Sequence, residues 1–206
     1  MAAALAKEAV TRNRLLALIL PIDSHKQDLR HARLFARRFN IKTRVVELSS
    51  IYRGLLKILP AANKTAVANL KPRLRMLVLY YFANKLNYLV CGTGNKSELS
   101  VGYFTKYGDG AADILPLGGL LKKEVYALAR SLGIPQEIIK RRPSAGLWSG
   151  QTDEGEMGIS YAELDEILER RESKKRQRLG GDKISRVEAM IRTSEHKRVR
   201  PAVCHI

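Results

Sequence analysis

Three short apolar runs, residues 14–21, 43–48 and 88–91, alternate with segments whose apolar residues recur at helical spacing. This alternation restricts the fold more than any other feature of the chain. Short apolar runs separated by amphipathic helices specify a parallel sheet with helices on both faces, hence a three-layer α/β/α architecture. The run at 14–21 ends in Pro21 and suits a buried parallel strand. Residues 26–39 place Leu29, Ala32, Phe35, Ala36 and Phe39 on one helical face. A helix is expected over 63–70. Pro72 is expected at the first position of the next helix, which runs to about Lys85. That helix is apolar on most sides, which predicts burial in the core or in a subunit interface. Residues 122–132 form an amphipathic helix closed by Gly133 and Pro135. Ser160 and Glu163 make a capping box for a helix to about Arg171. A basic linker over 174–182 leads to a last helix capped by Asp182.

The chain of 206 residues is read as one domain, 1–206, with a basic C-terminal segment over 172–206. Its longest apolar candidate, residues 74–90, is broken by Arg75, Asn84, Lys85 and Asn87, so no membrane span is expected. There is no apolar stretch of secretory-signal type at the start. The two cysteines, Cys91 and Cys204, have no metal-ligand spacing and fit a reducing cytoplasm. The net charge of +17 permits attraction to nucleic acid, to several phosphates, or to nothing beyond solvent. Twelve lysines and arginines lie between Arg170 and Arg200, but no aromatic residues are interleaved with them, which argues against an RNA-binding module.

In parallel sheets, ligands bind outside the carboxyl ends of the strands. The stretch CGTGNKSELSVGYFTKYGDGAAD, residues 91–113, begins where a strand stops. Gly92-Thr93-Gly94 is a simple turn or a close approach to a nucleotide. Glu98, three residues after Asn95, is a capping-box residue or a hard oxygen ligand for Mg²⁺. Lys122 and Lys123 open a helix, where their charge opposes the macrodipole; a bound anion or plain solvation would explain them. Residues 143–148 end in the only tryptophan and lead into an acidic loop, 153–156, of a kind that closes over ligands.

Taken in order, GTGNKSE, GYFTKYGDGAADILPL, LLKKEVYALARSLGIP, RRPSAGLWSGQTDEGEMGISYAELDEIL and SEHKRVRPAV resemble the ammonia-dependent NAD synthetases. The resemblance implies an adenine-nucleotide α-hydrolase-like fold and a homodimer. It implies that deamido-NAD, ATP and ammonia give NAD, AMP and pyrophosphate, with Mg²⁺ as cofactor. By the same motifs, Thr93, Lys122 and Ser144 would bind ATP and Glu98 would hold Mg²⁺. Arg73, Lys106, Asp113, His196 and Lys197 would bind deamido-NAD. Another adenylating ATP pyrophosphatase acting on tRNA is the alternative enzyme, and a basic nucleic-acid-binding module the alternative outside enzymes. The family's SGGxDS phosphate loop does not occur in this chain, and residues 1–10 resemble the helix that follows it. The expectation is therefore a sheet without its central first strand. Its flanking strands would have open inner edges or close up, and the chain would bind ATP poorly and turn over little.

Overall fold

The computed structural model describes residues 1–11, 14–173 and 181–204. The elements in chain order are α1 (Ala2–Ala9), β1 (Ala17–Ile19), α2 (Lys26–Arg38), β2 (Thr43–Val45), α3 (Ser49–Ile58), α4 (Lys64–Ala68) and α5 (Leu70–Leu86). They are followed by α6 (Lys96–Val101), α7 (Lys122–Ser131), α8 (Gln136–Ile139), α9 (Asp153–Met157), α10 (Tyr161–Glu172) and α11 (Asp182–Thr193). A 3-10 turn over Glu195–Lys197 follows α11. Residues 174–180 of the linker expected over 174–182 lie outside the described residues.

The architecture is α/β with parallel strands. β1 pairs with β2 in parallel, with Ala17 opposite Thr43 and Ile19 opposite Val45. Both strands are shorter than their apolar runs, yet the pairing continues past them. The Val46 amide donates to the Ile19 carbonyl and the Leu48 amide to that of Pro21. The third run does not join this ladder. Cys91 instead makes a parallel bridge to Ile114. Among the described residues no ladder connects the two halves.

Three apolar clusters hold the helices. Ile22, Leu48 and Tyr52 pack with Val67, Leu70, Leu74 and Val78, tying the strand ends to α3, α4 and α5. Ala4, Ala129 and Ile134 join Phe35 and Phe39, tying α1 and α2 to α7 and α8. Val101, Leu121, Met157, Tyr161, Leu164, Leu168 and Val187 form the largest cluster, joining α6, α9, α10 and α11.

Local signals placed most helices well, with four corrections. The helix expected over 63–70 is α4, capped by the Asn63 side chain on the Ala66 amide at 2.9 Å, and it stops at Ala68. α5 then begins at Leu70, so Pro72 is its third residue, still within the first turn, where no intrahelical N–H partner is needed. Asp182 is the first residue of α11 and Gly181 is its cap, at φ 141°, a conformation open to glycine. The acidic segment at 153–156 is helical, as α9, with Thr152 accepting from the Gly155 amide.

Candidate active site

The turn after Val90 is fixed by close packing. A Cβ on Gly92 would meet the Cβ of Ala112 at 2.6 Å and Leu115 at 2.7 Å, so glycine is required there. The turn delivers Asn95 to the start of α6, where both halves of the capping box form. The Asn95 side chain accepts from the Glu98 amide, and Glu98 Oε2 accepts from the Asn95 amide, each at 3.0 Å. The cap occupies one carboxylate oxygen and leaves Oε1 to face Lys122.

Lys122 Nζ donates to Glu98 Oε1 at 2.9 Å, and both side chains are largely buried. Lys123 pairs with Glu169 at 2.6 Å. The two lysines that open α7 against its dipole are therefore neutralised by carboxylates from α6 and α10. The helix start itself is held by Asp165, which is 1% exposed. Asp165 accepts from the Ser97 hydroxyl at 2.5 Å and the Lys123 amide at 2.8 Å, while Ser97 Oγ accepts from the Lys122 amide at 2.9 Å.

A cleft of about 490 Å³ opens beside this pair. Arg75, Lys122, Arg141, Arg142 and Ser144 line it, together with Asp28 and the apolar Phe35, Ile134 and Ile138. A lining that combines cationic groups with apolar side chains suits a nucleotide with its phosphates. Arg75 Nε donates to the Leu20 carbonyl at 3.0 Å, at the carboxyl end of β1. Burial pushes its pKa down from the usual arginine value. Among the described residues no carboxylate is within ion-pair distance of it, and Asp109 and Asp28 attract it only from farther off, so its charge is open to an anion. Arg141 pairs with Asp28. A second groove, of about 550 Å³, lies along Arg171, Ile191 and Arg192 and contains none of the motif residues proposed as ligands.

From the Lys122–Glu98 pair a chain of hydrogen bonds runs inward. The Tyr161 hydroxyl lies 3.2 Å from Glu98 Oε1 and 2.9 Å from Asp153 Oδ2. Tyr103 reaches Asp153 Oδ1 at 3.2 Å and Glu156 Oε2 at 2.8 Å. Gln151 donates to Glu156 and accepts from the Leu147 amide, each at 2.8 Å, and the Leu147 carbonyl accepts from buried Lys71 at 2.8 Å. Burial, reinforced by the neighbouring carboxylates, raises both phenol pKa values far above the usual range. Burial also raises that of Asp153.

The sequence-predicted residues fall into separate groups. Lys122 and Ser144 share the cleft, and Glu98 joins them through Lys122. Thr93 is exposed in the glycine turn. Arg73 donates to the Lys106 carbonyl at 3.4 Å, and Lys106 Nζ to the carbonyl of His196, so those three form a second group. Lys197 turns its ammonium inward, to the Gly102 and Phe104 carbonyls at 2.7 and 2.9 Å. Asp113 stands apart, accepting from the Val90 amide at 2.6 Å and the Tyr80 hydroxyl at 3.3 Å.

Among the described residues no three acidic, histidine or cysteine side chains cluster. Glu98 Oε1 already serves a cation, the Lys122 ammonium, and one carboxylate is a usual protein contribution where phosphates supply the other ligands. The residues therefore fit a metal carried by phosphates and not a cage of protein ligands.

A family model for NAD synthase matches residues 1–201. The chain belongs to the NAD synthase family. It is 50% identical over 200 residues to the NH(3)-dependent NAD(+) synthetase of Archaeoglobus fulgidus, covering 96% of this chain and 80% of that protein. The corresponding protein of Carboxydothermus hydrogenoformans is 48% identical, with 91% and 77% covered. Among solved structures, NMN synthetase from Francisella tularensis superposes with a TM-score of 0.89 at 37% identity, covering 99% of this chain and 84% of that one. The NH3-dependent NAD synthetase from Campylobacter jejuni, in complex with nitrate, gives 0.83 at 29% identity, covering 99% and 85%.

In this NAD synthase chain, sequence reasoning overlooked Arg75, Tyr103, Asp153, Tyr161 and Asp165. A signal existed for the last two. Tyr161 and Asp165 are four apart and share a helical face with Leu164 and Leu168, so a polar pair on an apolar stripe marked a buried network.

Proposed function

We propose that the protein is an ammonia-dependent NAD synthetase, a ligase that amidates deamido-NAD at the expense of ATP. The reading is carried by the shared cleft of Lys122 and Ser144, with Glu98 paired to that lysine, in a chain of this family. Ammonia does not displace oxide from a carboxylate, so the carboxylate must first acquire a leaving group. The substrate carboxylate attacks the α-phosphorus of ATP, pyrophosphate departs, and an acyl adenylate results. Ammonia then attacks the acyl carbon and expels AMP. An anionic nucleophile must approach an anionic phosphate chain, so positioned cations do much of the work.

In this reading Lys122 and Arg75 offset the phosphate charge, while the Ser144 and Thr93 hydroxyls donate to the nucleotide. Arg73, Lys106, Asp113, His196 and Lys197 receive deamido-NAD. Mg²⁺, held by Glu98 and the phosphates, would offset the charge that builds up on pyrophosphate. No covalent nucleophile is needed. The free thiols of Cys91 and Cys204 support a reducing compartment such as the cytoplasm. Among the described residues no helix is long and apolar enough to cross a membrane. Leu77 and Tyr81, one turn apart on α5, are 63% and 59% exposed, and Ile51 and Ile58 are exposed on the adjoining α3. An apolar face of this kind supports a homodimer with α5 at its centre.

The similarity to an NMN synthetase favours a second reading, the same chemistry on the deamido mononucleotide. The test is calorimetric titration of the purified protein with deamido-NAD and with the mononucleotide, followed by chromatography of the products with ATP, Mg²⁺ and ammonium. Saturable deamido-NAD binding is expected, with NAD, AMP and pyrophosphate formed in equal but small amounts, because the chain lacks the SGGxDS phosphate loop. Tighter binding and amidation of the mononucleotide would select the second reading. Saturable binding of neither, with RNA binding that falls steeply with salt, would overturn both.

A further inference from the structure

Lys122 has two prospective partners. Its ammonium pairs with Glu98 in this structure, yet it lines the cleft in which an anion would sit. Until a metal reaches Glu98, an ammonium leaving this buried carboxylate strands it, and an unpaired buried charge is strongly unfavourable. A device that lowers this penalty is present. Tyr161 is only 4% exposed, and its ring centroid is 4.4 Å from Lys122 Nζ. The attraction of a cation to a ring face tolerates lateral movement, so the ammonium can shift and keep this contact. The Tyr161 hydroxyl has a single proton and two carboxylate oxygens in reach, Asp153 at 2.9 Å and Glu98 at 3.2 Å. While Lys122 serves Glu98, the proton is free to serve Asp153. Asp153 has a second donor in Tyr103 at 3.2 Å, so it can release Tyr161 without being left bare.

We propose that Tyr161 is a positioning residue that lets Lys122 pass from Glu98 to an anion in the cleft, its ring retaining the ammonium while its hydroxyl takes over Glu98. This rests on the reading of the cleft as a nucleotide-phosphate site. Asp153 and Tyr103 complete the exchange by holding the phenol between turns. Because Tyr103 also contacts Glu156, which Gln151 ties to Leu147, the exchange is connected to the segment that carries Ser144.

The experiment measures ATP binding by calorimetry in EDTA, so that no metal contributes, with deamido-NAD binding as the control for an intact fold. Tyr161→Phe keeps the ring and removes the donor. ATP affinity is expected to fall about 10-fold, while deamido-NAD affinity stays within about 2-fold. Glu98→Gln removes the charge that needs a replacement donor, so adding Tyr161→Phe to Glu98→Gln should cost nothing further. A structural role for the phenol would give the same loss in both backgrounds. Asp153→Asn weakens the competing acceptor and should tighten ATP binding about 3-fold, which supplies a second arm should Tyr161→Phe not fold. Unchanged ATP binding by Tyr161→Phe, equal losses in both backgrounds, or weaker binding by Asp153→Asn would overturn the proposal. A wild-type protein that binds neither ATP nor deamido-NAD would overturn the proposed function, and this exchange with it.

Discussion

Asp165→Asn tests how the start of α7 is held. The carboxylate is buried and accepts from two donors, the Ser97 hydroxyl and the Lys123 amide. Asparagine offers a single acceptor oxygen and turns an NH₂ toward the other donor. A hydrogen bond to a charged group contributes about 1.5–3 kcal/mol, and a buried donor left unsatisfied costs about 1–3 kcal/mol more. Removing a buried charge returns part of that loss. A net destabilisation of about 2 kcal/mol results, which for a chain of this size lowers Tm by about 4–8 °C. Thermal unfolding followed by circular dichroism at neutral pH measures it. The loss should be accompanied by weaker ATP binding, because Ser97 also accepts from the Lys122 amide and so fixes the root of that side chain. A Tm within about 1 °C of wild type, on the same scale, would refute the claim that Asp165 organises this helix start.

Three further outcomes are expected. Gly92→Ala places a methyl group 2.6 Å from the Ala112 Cβ, and overpacking of about 1–3 kcal/mol should lower Tm by a few degrees in a melting experiment. Glu163, held by Lys183 and by the hydroxyl and amide of Ser160, has its pKa lowered to about 2, so its contribution to stability is complete above the usual glutamate range and is lost as pH falls toward 2. Melting curves of wild type and Glu163→Gln should therefore differ at pH 6 and converge in acid. Leu77→Glu with Tyr81→Glu puts charges on the exposed face of α5, and analytical ultracentrifugation is expected to show a dimer for wild type, as proposed, and monomers for the double variant.

Much of the local structure was legible because its causes lie within a few residues. The capping boxes of α6 and α10 are made by side chains three residues apart, so Asn95–Glu98 and Ser160–Glu163 announce both helices in any tertiary setting. Glu98 takes its place in the cap through Oε2, which leaves Oε1 facing Lys122, a contact the spacing did not announce. α9 escaped notice because five residues, one of them glycine, are too few for a helical period to register. Pro72 was placed two positions off because proline is tolerated throughout the first turn, so it marks a helix start only to within that turn. The apolar run at 88–91 gave no sign that its pairing would be limited to one bridge with Ile114, since a ladder depends on which segment lies alongside.

The amino-acid order alone determined the alternation of strands and helices, the caps and the likeness to NAD synthases. Each is recorded in neighbouring residues or in motifs of fixed spacing. Tertiary structure alone decided which acid meets which cation. Lys122 and Glu98 are 24 residues apart, and Glu98 and Tyr161 are 63 apart. Contacts at such separations arise only when the packing of α6, α7 and α10 brings their ends together, because no local bond connects one side chain to the other. The same packing buries Tyr161 and Asp153, and burial, not residue type, raises their pKa values and confines the phenol's one proton to two neighbouring carboxylates.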